Sequence, residues 1–324
     1  MKPPLFWYKT RSLRAALLAP LGALYAKATA IRVAKTPEYK AAIPVICIGN
    51  INAGGTGKTP TAMALAMRLT DQGHQVHIVS RGYGGSEVGP AQVDPQSHTA
   101  ADVGDEPLLL AAFAPTWVSK DRAQGVQQAE AAGATIILLD DGFQNPSVDK
   151  DLSIVVVDAV KGFGNGRTLP AGPLREPAAT GLARADALLV IGPDHARRAF
   201  QPVIPATCIR VDGQLDPLPT GMPMQGVPVL AFAGIGHPEK FFATLKSMGA
   251  DVVRGEALDD HQPLTDSLML RLEAEAKARG LQLVTTEKDA IRLPDTFRPK
   301  VITIPVRLSV QDWSALDKKI AALT

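Results

Sequence analysis

The sequence predicts an α/β protein: a parallel sheet wrapped by helices, then a second, smaller α/β lobe, with an amphipathic helix at the N-terminus. Three observations carry this. Short β-branched runs alternate with helix-patterned stretches through the first two-thirds of the chain. A glycine-rich loop joins the first of these runs directly to a helical pattern. A stretch rich in proline, 201–227, then separates a second round of alternation and reads as a connector. With 324 residues the chain is long enough for two domains. The expected divisions are 1–40, 41–225 and 226–324.

Composition narrows the classes before any motif is read. Hydrophobic residues at 46% and charged residues at 20% fit a globular chain and exclude a disordered tail or a small disulfide scaffold. Aromatics at 5% are too few for a single-stranded nucleic-acid stacking platform, so no nucleic-acid partner is expected. The net charge of +2 is unevenly spread. Residues 1–40 carry eight basic groups (Lys2, Lys9, Arg11, Arg14, Lys27, Arg32, Lys35, Lys40) and one acid, Glu38. The other 284 carry 26 basic and 31 acidic groups, so any anionic surface is met at the N-terminus. Cys47 and Cys208 lack metal-site spacing and suit a reducing compartment.

The N-terminal segment holds no uninterrupted apolar run of the ~20 residues a membrane span needs; Ala15–Ala26 comes nearest and contains Pro20. At 100° per residue Leu13, Leu17, Leu21, Leu24 and Ile31 share one stripe, bordered by Arg14, Arg32 and Lys27. An interfacial helix lying on a membrane fits this pattern, with Phe6, Trp7 and Tyr8 at headgroup depth. So does a helix packing its stripe on the protein body. A signal peptide cleaved near Ala26-Lys27-Ala28 is the third reading. Pro20 is expected to kink or split the helix.

The run 43–48 reads as a buried strand and feeds Gly49-Asn50-Ile51-Asn52-Ala53-Gly54-Gly55-Thr56-Gly57-Lys58-Thr59. A helix follows, with Ala62, Leu65, Ala66 and Leu69 on one face. Strand, glycine-rich loop ending Gly-Lys-Thr, and helix make up the P-loop, so the fold class becomes P-loop NTPase-like. The backbone of Asn52, Ala53, Gly54, Gly55, Thr56 and Gly57 is expected to cradle phosphate oxygens at a helix N-terminus. Lys58 would reach the terminal phosphates of ATP, and the Thr59 hydroxyl would ligate Mg²⁺. One position departs from the strict pattern: Asn52 stands where the first glycine belongs. An ATP site also argues against secretion.

Further strands are expected at 76–80, 135–140, 153–158 and 187–191. The strand at 135–140 ends in Asp140-Asp141-Gly142. Carboxylates at the C-terminal end of an apolar strand suit Mg²⁺ beside a triphosphate, so at least one of Asp140 and Asp141 is expected to hold the metal; an Asp-Gly turn explains Asp141 alone. After the connector come a strand at 229–233, helices at 238–248 and 265–279, strands at 282–285 and 301–304, and a closing helix capped by Ser309.

Four other motifs surround these: Ser80-Arg81-Gly82-Tyr83-Gly84-Gly85, Gly104-Asp105-Glu106-Pro107, Leu169-Pro170-Ala171-Gly172-Pro173-Leu174-Arg175, and Asp260-His261 with Thr285-Thr286-Glu287-Lys288-Asp289. In this order, with the P-loop and Asp140-Asp141-Gly142-Phe143-Gln144, the chain closely resembles the tetraacyldisaccharide 4′-kinases, the lipid A 4′-kinases of Gram-negative bacteria. The resemblance spans nearly the whole chain. It implies ATP-dependent phosphorylation of the 4′-hydroxyl of a tetraacylated glucosamine disaccharide 1-phosphate, giving lipid IV-A, by a peripheral enzyme at the cytoplasmic face of the inner membrane. The partners implied are that lipid and an anionic membrane surface; no obligate protein partner is evident. The resemblance also implies that Asp105 is catalytic and that His261 pairs with it; which of the two takes the hydroxyl proton stays open.

Arg81, Arg122 and Arg175 are candidates for phosphate contacts, since a guanidinium fork matches phosphate oxygens. His74, His77, His98, His195 and His237 read as structural or exposed. With His261 beyond the connector and Asp105 before it, the active site is expected between two lobes whose closure excludes water. The competing readings are a P-loop kinase or regulatory ATPase with a soluble substrate or protein partner, and a membrane-bound nucleotide-binding scaffold.

Overall fold

The computed structural model describes residues 3–219 and 221–324; Lys2 lies outside them. The strands are β1 (Val45–Gly49), β2 (Val76–Ser80), β3 (Ala91–Gln92), β4 (Thr116–Val118), β5 (Ile136–Asp140), β6 (Leu152–Asp158), β7 (Ala187–Ile191), β8 (Ile209–Pro217), β9 (Pro228–Ala233), β10 (Asp251–Ala257), β11 (Gln282–Thr286), β12 (Val301–Ile304) and β13 (Val306–Val310). They form two sheets, ordered β13-β8-β7-β6-β1-β5-β2-β4-β3 and β10-β9-β11-β12. From β8 to β4 the larger sheet is parallel, with antiparallel β13 and β3 at its edges. The smaller sheet is parallel throughout.

Both faces of the larger sheet are covered, which is why its central strands read as continuous apolar runs. Ile46 and Ile48 of β1 face one side, where Leu65, Ala66 and Leu69 of the helix Lys58–Asp71 pack with Leu138, Ile154 and Val156. Val45 and Cys47 face the other, against Val126, Ile137, Leu139, Val155 and Val157. The two-residue period of the strand therefore supplies both halves of the core. In the smaller lobe Leu230 and Phe232 pack with Met269 and Leu272 of the helix Asp266–Arg279, while Val229 and Ala231 meet Phe241 and Leu245 of the helix Pro238–Ser247. The α/β class, the parallel sheet and the second lobe are as the sequence predicts.

Two expectations are corrected. Within 201–227 lies β8, a nine-residue strand of the larger sheet. The prolines flank it or end it, and its alternate buried positions, Val211 and Gly213, were masked by Arg210, Asp212 and Gln214. Ser309 does not cap a helix: it lies in β13, whose Val306-to-Val310 alternation pairs with β8, and the closing helix is Ser314–Ala321. The chain therefore leaves the larger sheet after β8, builds the smaller lobe, and returns through β13.

The N-terminal helix spans Leu13–Val33 without a break. Pro20 lies on its exposed side and the helix runs through it, so the expected split does not occur. Its docked face is small: Ala15, Gly22 and Thr29, seven residues apart. The Thr168 hydroxyl donates to the Gly22 carbonyl at 2.7 Å. A Cβ at Gly22 would lie 3.0 Å from the Thr168 carbonyl oxygen, so any larger residue would have to push this approach apart by a few tenths of an ångström. The leucine stripe points away from the body: Leu13, Leu17, Leu21, Leu24 and Ile31 are 85, 80, 53, 65 and 61% exposed. The reading in which the stripe packs on the protein is thereby overturned. By length and composition the 21-residue helix is also long and apolar enough to cross a membrane, although it has no apolar run that long.

Candidate active site

All parallel strands of the larger sheet open at the same edge, and the glycine loop, Ser80, Asp140 and Asp158 lie there. Gly57, at φ 101°, turns the chain into the helix that starts at Lys58. Its missing side chain matters twice: the backbone is left-handed, and a Cβ would meet Ile191 Cδ1 at 2.8 Å. Gly54 and Gly55 border open space. Asn52 and Ala53 do not. The Asn52 amide donates to Gly162 O at 2.9 Å and the Ala53 N–H to Pro173 O at 2.7 Å. Both act here as anchors of the loop's base, and Gly54 and Gly55 are the exposed part of the loop. Asn50 is a further loop residue that the sequence reading left aside; its amide donates to Gly54 O and Thr56 Oγ1.

Two acids at the end of β5 have opposite surroundings. The Asp141 carboxylate receives Arg175 at 2.9 Å and lies 3.6 Å from the Lys58 ammonium. Burial pushes its pKa upward, but Lys58 and Arg175 outweigh that and hold it below the usual carboxylate range. Asp140 accepts the Ser80 hydroxyl at 3.1 Å. Burial, then the neighbouring Glu106 and Asp141, push it up to about 7. Among the described residues no group of three or more His, Cys, Asp or Glu side chains is placed to hold a metal by itself.

The three arginines separate. Arg175 ion-pairs with Asp141. Arg122 is buried and donates to the Asp141 carbonyl at 2.9 Å, leaving its Nε without a partner. Arg81 is exposed, near enough to Arg122 to repel its charge.

The second cluster joins the lobes. Asp105 begins the helix Asp105–Leu110 and is 3% exposed. Across the cleft His261, at φ 59°, places Nδ1 3.0 and 3.1 Å from the two Asp105 oxygens. Burial alone would raise the Asp105 carboxyl; the His261 hydrogen bond and the Lys288 and Arg292 charges overcome it and lower the pKa. The same hydrogen bond raises His261 against the pull of burial and of Lys288. Sequence reasoning quoted Lys288 and Glu106 in motifs without giving them a role. The structure brings Lys288 Nζ to 3.2 Å from Glu106, 3.7 Å from Asp260 and 3.3 Å from His261 Nε2. The signal was the charged Thr-Thr-Glu-Lys-Asp run at the end of a buried strand. Arg292, 3.8 Å from Asp105, was signalled by nothing.

The two clusters are continuous. Glu106 touches Lys288 and raises Asp140. A Cβ on Gly236 of the smaller lobe would lie 3.9 Å from both the Gly55 nitrogen and Asp260 Oδ2. On the other side of the loop Lys240 pairs with Asp158 at 2.5 Å, and Lys161 contacts His237. His237 is thus a structural residue of the lobe junction.

Comparison with known proteins gives the family. The family model for Tetraacyldisaccharide-1-P 4′-kinase matches residues 14–324. The tetraacyldisaccharide 4′-kinase of Jannaschia sp. is 59% identical over 99% of this chain and 98% of its own length. That of Dinoroseobacter shibae is 59% identical over 100% and 98%. A crystal structure of LpxK from Aquifex aeolicus in complex with ATP superposes with a TM-score of 0.78 at 28% identity, over 96% of this chain and 99% of that one. A glycine loop under a second lobe, with an acid–imidazole pair across the cleft, is thus carried by a chain that belongs to the tetraacyldisaccharide 4′-kinase family.

Proposed function

We propose that this kinase transfers the γ-phosphate of ATP to the 4′-hydroxyl of a tetraacylated glucosamine disaccharide 1-phosphate, working from the cytoplasmic face of a bacterial inner membrane as a peripheral protein. The observation that carries the site assignment is the contact of Asp105 with His261 beside the open end of the glycine loop. Phosphoryl transfer asks the protein for positioning and for charge at the phosphates. The N–H groups from Gly54 to Lys58 line the phosphate cradle, and the Lys58 ammonium leaves Asp141 for the terminal phosphates. The Asp105–His261 pair takes up the acceptor hydroxyl's proton, the carboxylate holding the imidazole ring in place.

Asp140 is the acid that fits Mg²⁺. It is buried beside two other acids and, among the described residues, ion-pairs with no cation, feeling Lys58 only at longer range, whereas Asp141 already pairs with Lys58 and Arg175. Thr59, in the first turn of the same helix as Lys58, is the second holder. A Mg²⁺ held there would supply positive charge against the phosphates. Asp141 orients Lys58 and Arg175, and Arg122 braces the Asp141 backbone. Arg81, exposed at the mouth, is the arginine left for the sugar phosphate.

The exposed stripe supports the membrane reading, since a lone soluble enzyme gains nothing from five solvent-facing apolar side chains on one helix. Beside it Lys9, Arg11 and Arg167 line a groove with no acid in its wall. Basic groups beside an apolar face suit phosphate headgroups. A P-loop ATPase acting on a soluble partner leaves both features unexplained.

The test is incubation with ATP, Mg²⁺ and the disaccharide 1-phosphate in mixed micelles. A doubly phosphorylated lipid is expected, and Asp105→Asn is expected to lower kcat by about 10²–10⁴ while ATP still binds. No lipid product from protein that binds ATP would overturn the proposal.

A further inference from the structure

Lys288 follows β11 immediately, in the short helix Glu287–Ala290, and its side chain is largely buried. It reaches acids from both lobes: Glu106 at 3.2 Å and Asp105 at 3.9 Å on one side, Asp260 at 3.7 Å on the other. It also stands 3.3 Å from His261 Nε2. An ionised carboxylate only accepts hydrogen bonds and an ammonium only donates them. Asp105 on Nδ1 therefore demands a proton there, and Lys288 on Nε2 demands a lone pair. Between them they select one imidazole tautomer, the one whose free lone pair lies on the nitrogen away from Asp105.

We propose that Lys288 is a positioning residue for proton removal: it aims the His261 Nε2 lone pair and opposes a second proton on that nitrogen until the acceptor hydroxyl replaces the ammonium beside it. This rests on the kinase reading above. Lys288 does not leave the site when it yields Nε2, because Glu106 and Asp260 retain it within reach. The groups facing His261 are few. Asp105 approaches from its helix, Lys288 from the helix after β11, Asp260 from the preceding residue at 3.8 Å, and the edge of Tyr83 from the loop after β2. Arg292 stands behind Asp105. Of these only Lys288 puts a cation on Nε2, where it opposes a second proton; Asp105 and Asp260 favour one.

The test compares Lys288→Met and Lys288→Arg with the unaltered protein. Without the ammonium, His261 holds its second proton to higher pH. The acid limb of the kcat profile of Lys288→Met is then expected to move up by about one pH unit, with kcat at neutral pH down at least about tenfold. Its KM for ATP is expected to stay within about twofold, because ground-state nucleotide contacts are untouched. Lys288→Arg should return the limb to its original place. The His261 ring resonances, followed by NMR in ATP-free protein, should titrate with the same displacement. An acid limb and a ring titration that coincide in Lys288→Met and the unaltered protein would overturn the proposal, as would an arginine variant that behaves like the methionine one. If methionine prevents folding, Lys288→Gln is read by the same two criteria. If the unaltered protein phosphorylates no lipid, the kinase reading falls, and the ring titration still decides the role of Lys288.

Discussion

Removing two leucines from the exposed stripe measures how strongly the N-terminal helix seeks a bilayer. Leu13 and Leu17 are 85 and 80% exposed, so they contribute almost nothing to folding and can be changed together without unmaking the core. Burying a whole leucine side chain in an apolar phase contributes about 2 kcal/mol. Scaled by their exposure, the pair accounts for about 3 kcal/mol of transfer, which is on the order of a hundredfold in partition. Leu13→Ser with Leu17→Ser should therefore shift the protein from vesicles to the aqueous fraction. Flotation with phosphatidylglycerol-containing vesicles at low salt reads the change, with ATP binding and the thermal midpoint as controls for folding. A doubly substituted protein that floats as well as the parent would refute the assignment of this stripe to the bilayer.

Two further outcomes concern the cleft. Gly57→Ala places a Cβ 2.8 Å from Ile191 Cδ1 on a left-handed backbone; it should abolish nucleotide binding by calorimetry while costing the fold only about 1–3 kcal/mol, and full ATP affinity would remove Gly57 from the cradle. The Asp105–His261 contact should also register in stability against pH. Because the folded imidazole pKa is raised, chiefly by Asp105, the ring's contribution is full below the unfolded value of about 6.5 and fades as pH rises through the higher folded one. The midpoint difference between the unaltered protein and His261→Gln should shrink from about pH 6 to about pH 9, and a gap that widened instead would show that folding lowers the ring's pKa.

The strands that position the site were legible because burial on both sides leaves little room for polar residues. Five of them, β1, β2, β5, β6 and β7, announce themselves as β-branched runs. Edge strands lack that constraint. In β10 every residue is at least partly exposed and Arg254 and Glu256 occupy the strand, so it has no apolar signature. Strand β8 alternates charge with burial next to prolines, and β13 shows its meaning only once β8 is known.

The site followed the same division. The glycine loop, Asp140, Asp141, Asp105 and His261 sit in compact local motifs, and all of them gather at one sheet edge. What the residues do to one another was not legible. That Asp141 is paired with two cations while Asp140 takes the Ser80 hydroxyl depends on contacts such as those 34 and 60 residues apart in the chain. Lys288 meets Glu106 across 182 residues. The direction of the leucine stripe was undecidable for a related reason: a helix carries two faces, and only the Gly22–Thr168 approach shows which one is docked.

The return of the chain through β13 has a consequence for biosynthesis. The last strand of the larger sheet, and the Leu316 and Ile320 contacts behind it, emerge from the ribosome only after the whole smaller lobe has been made. Until then β8 is a bare edge, open to pairing with any neighbouring nascent chain. Premature termination between Pro217 and Val306 thus leaves the nucleotide-binding half unfinished, although every glycine of its loop has already been translated.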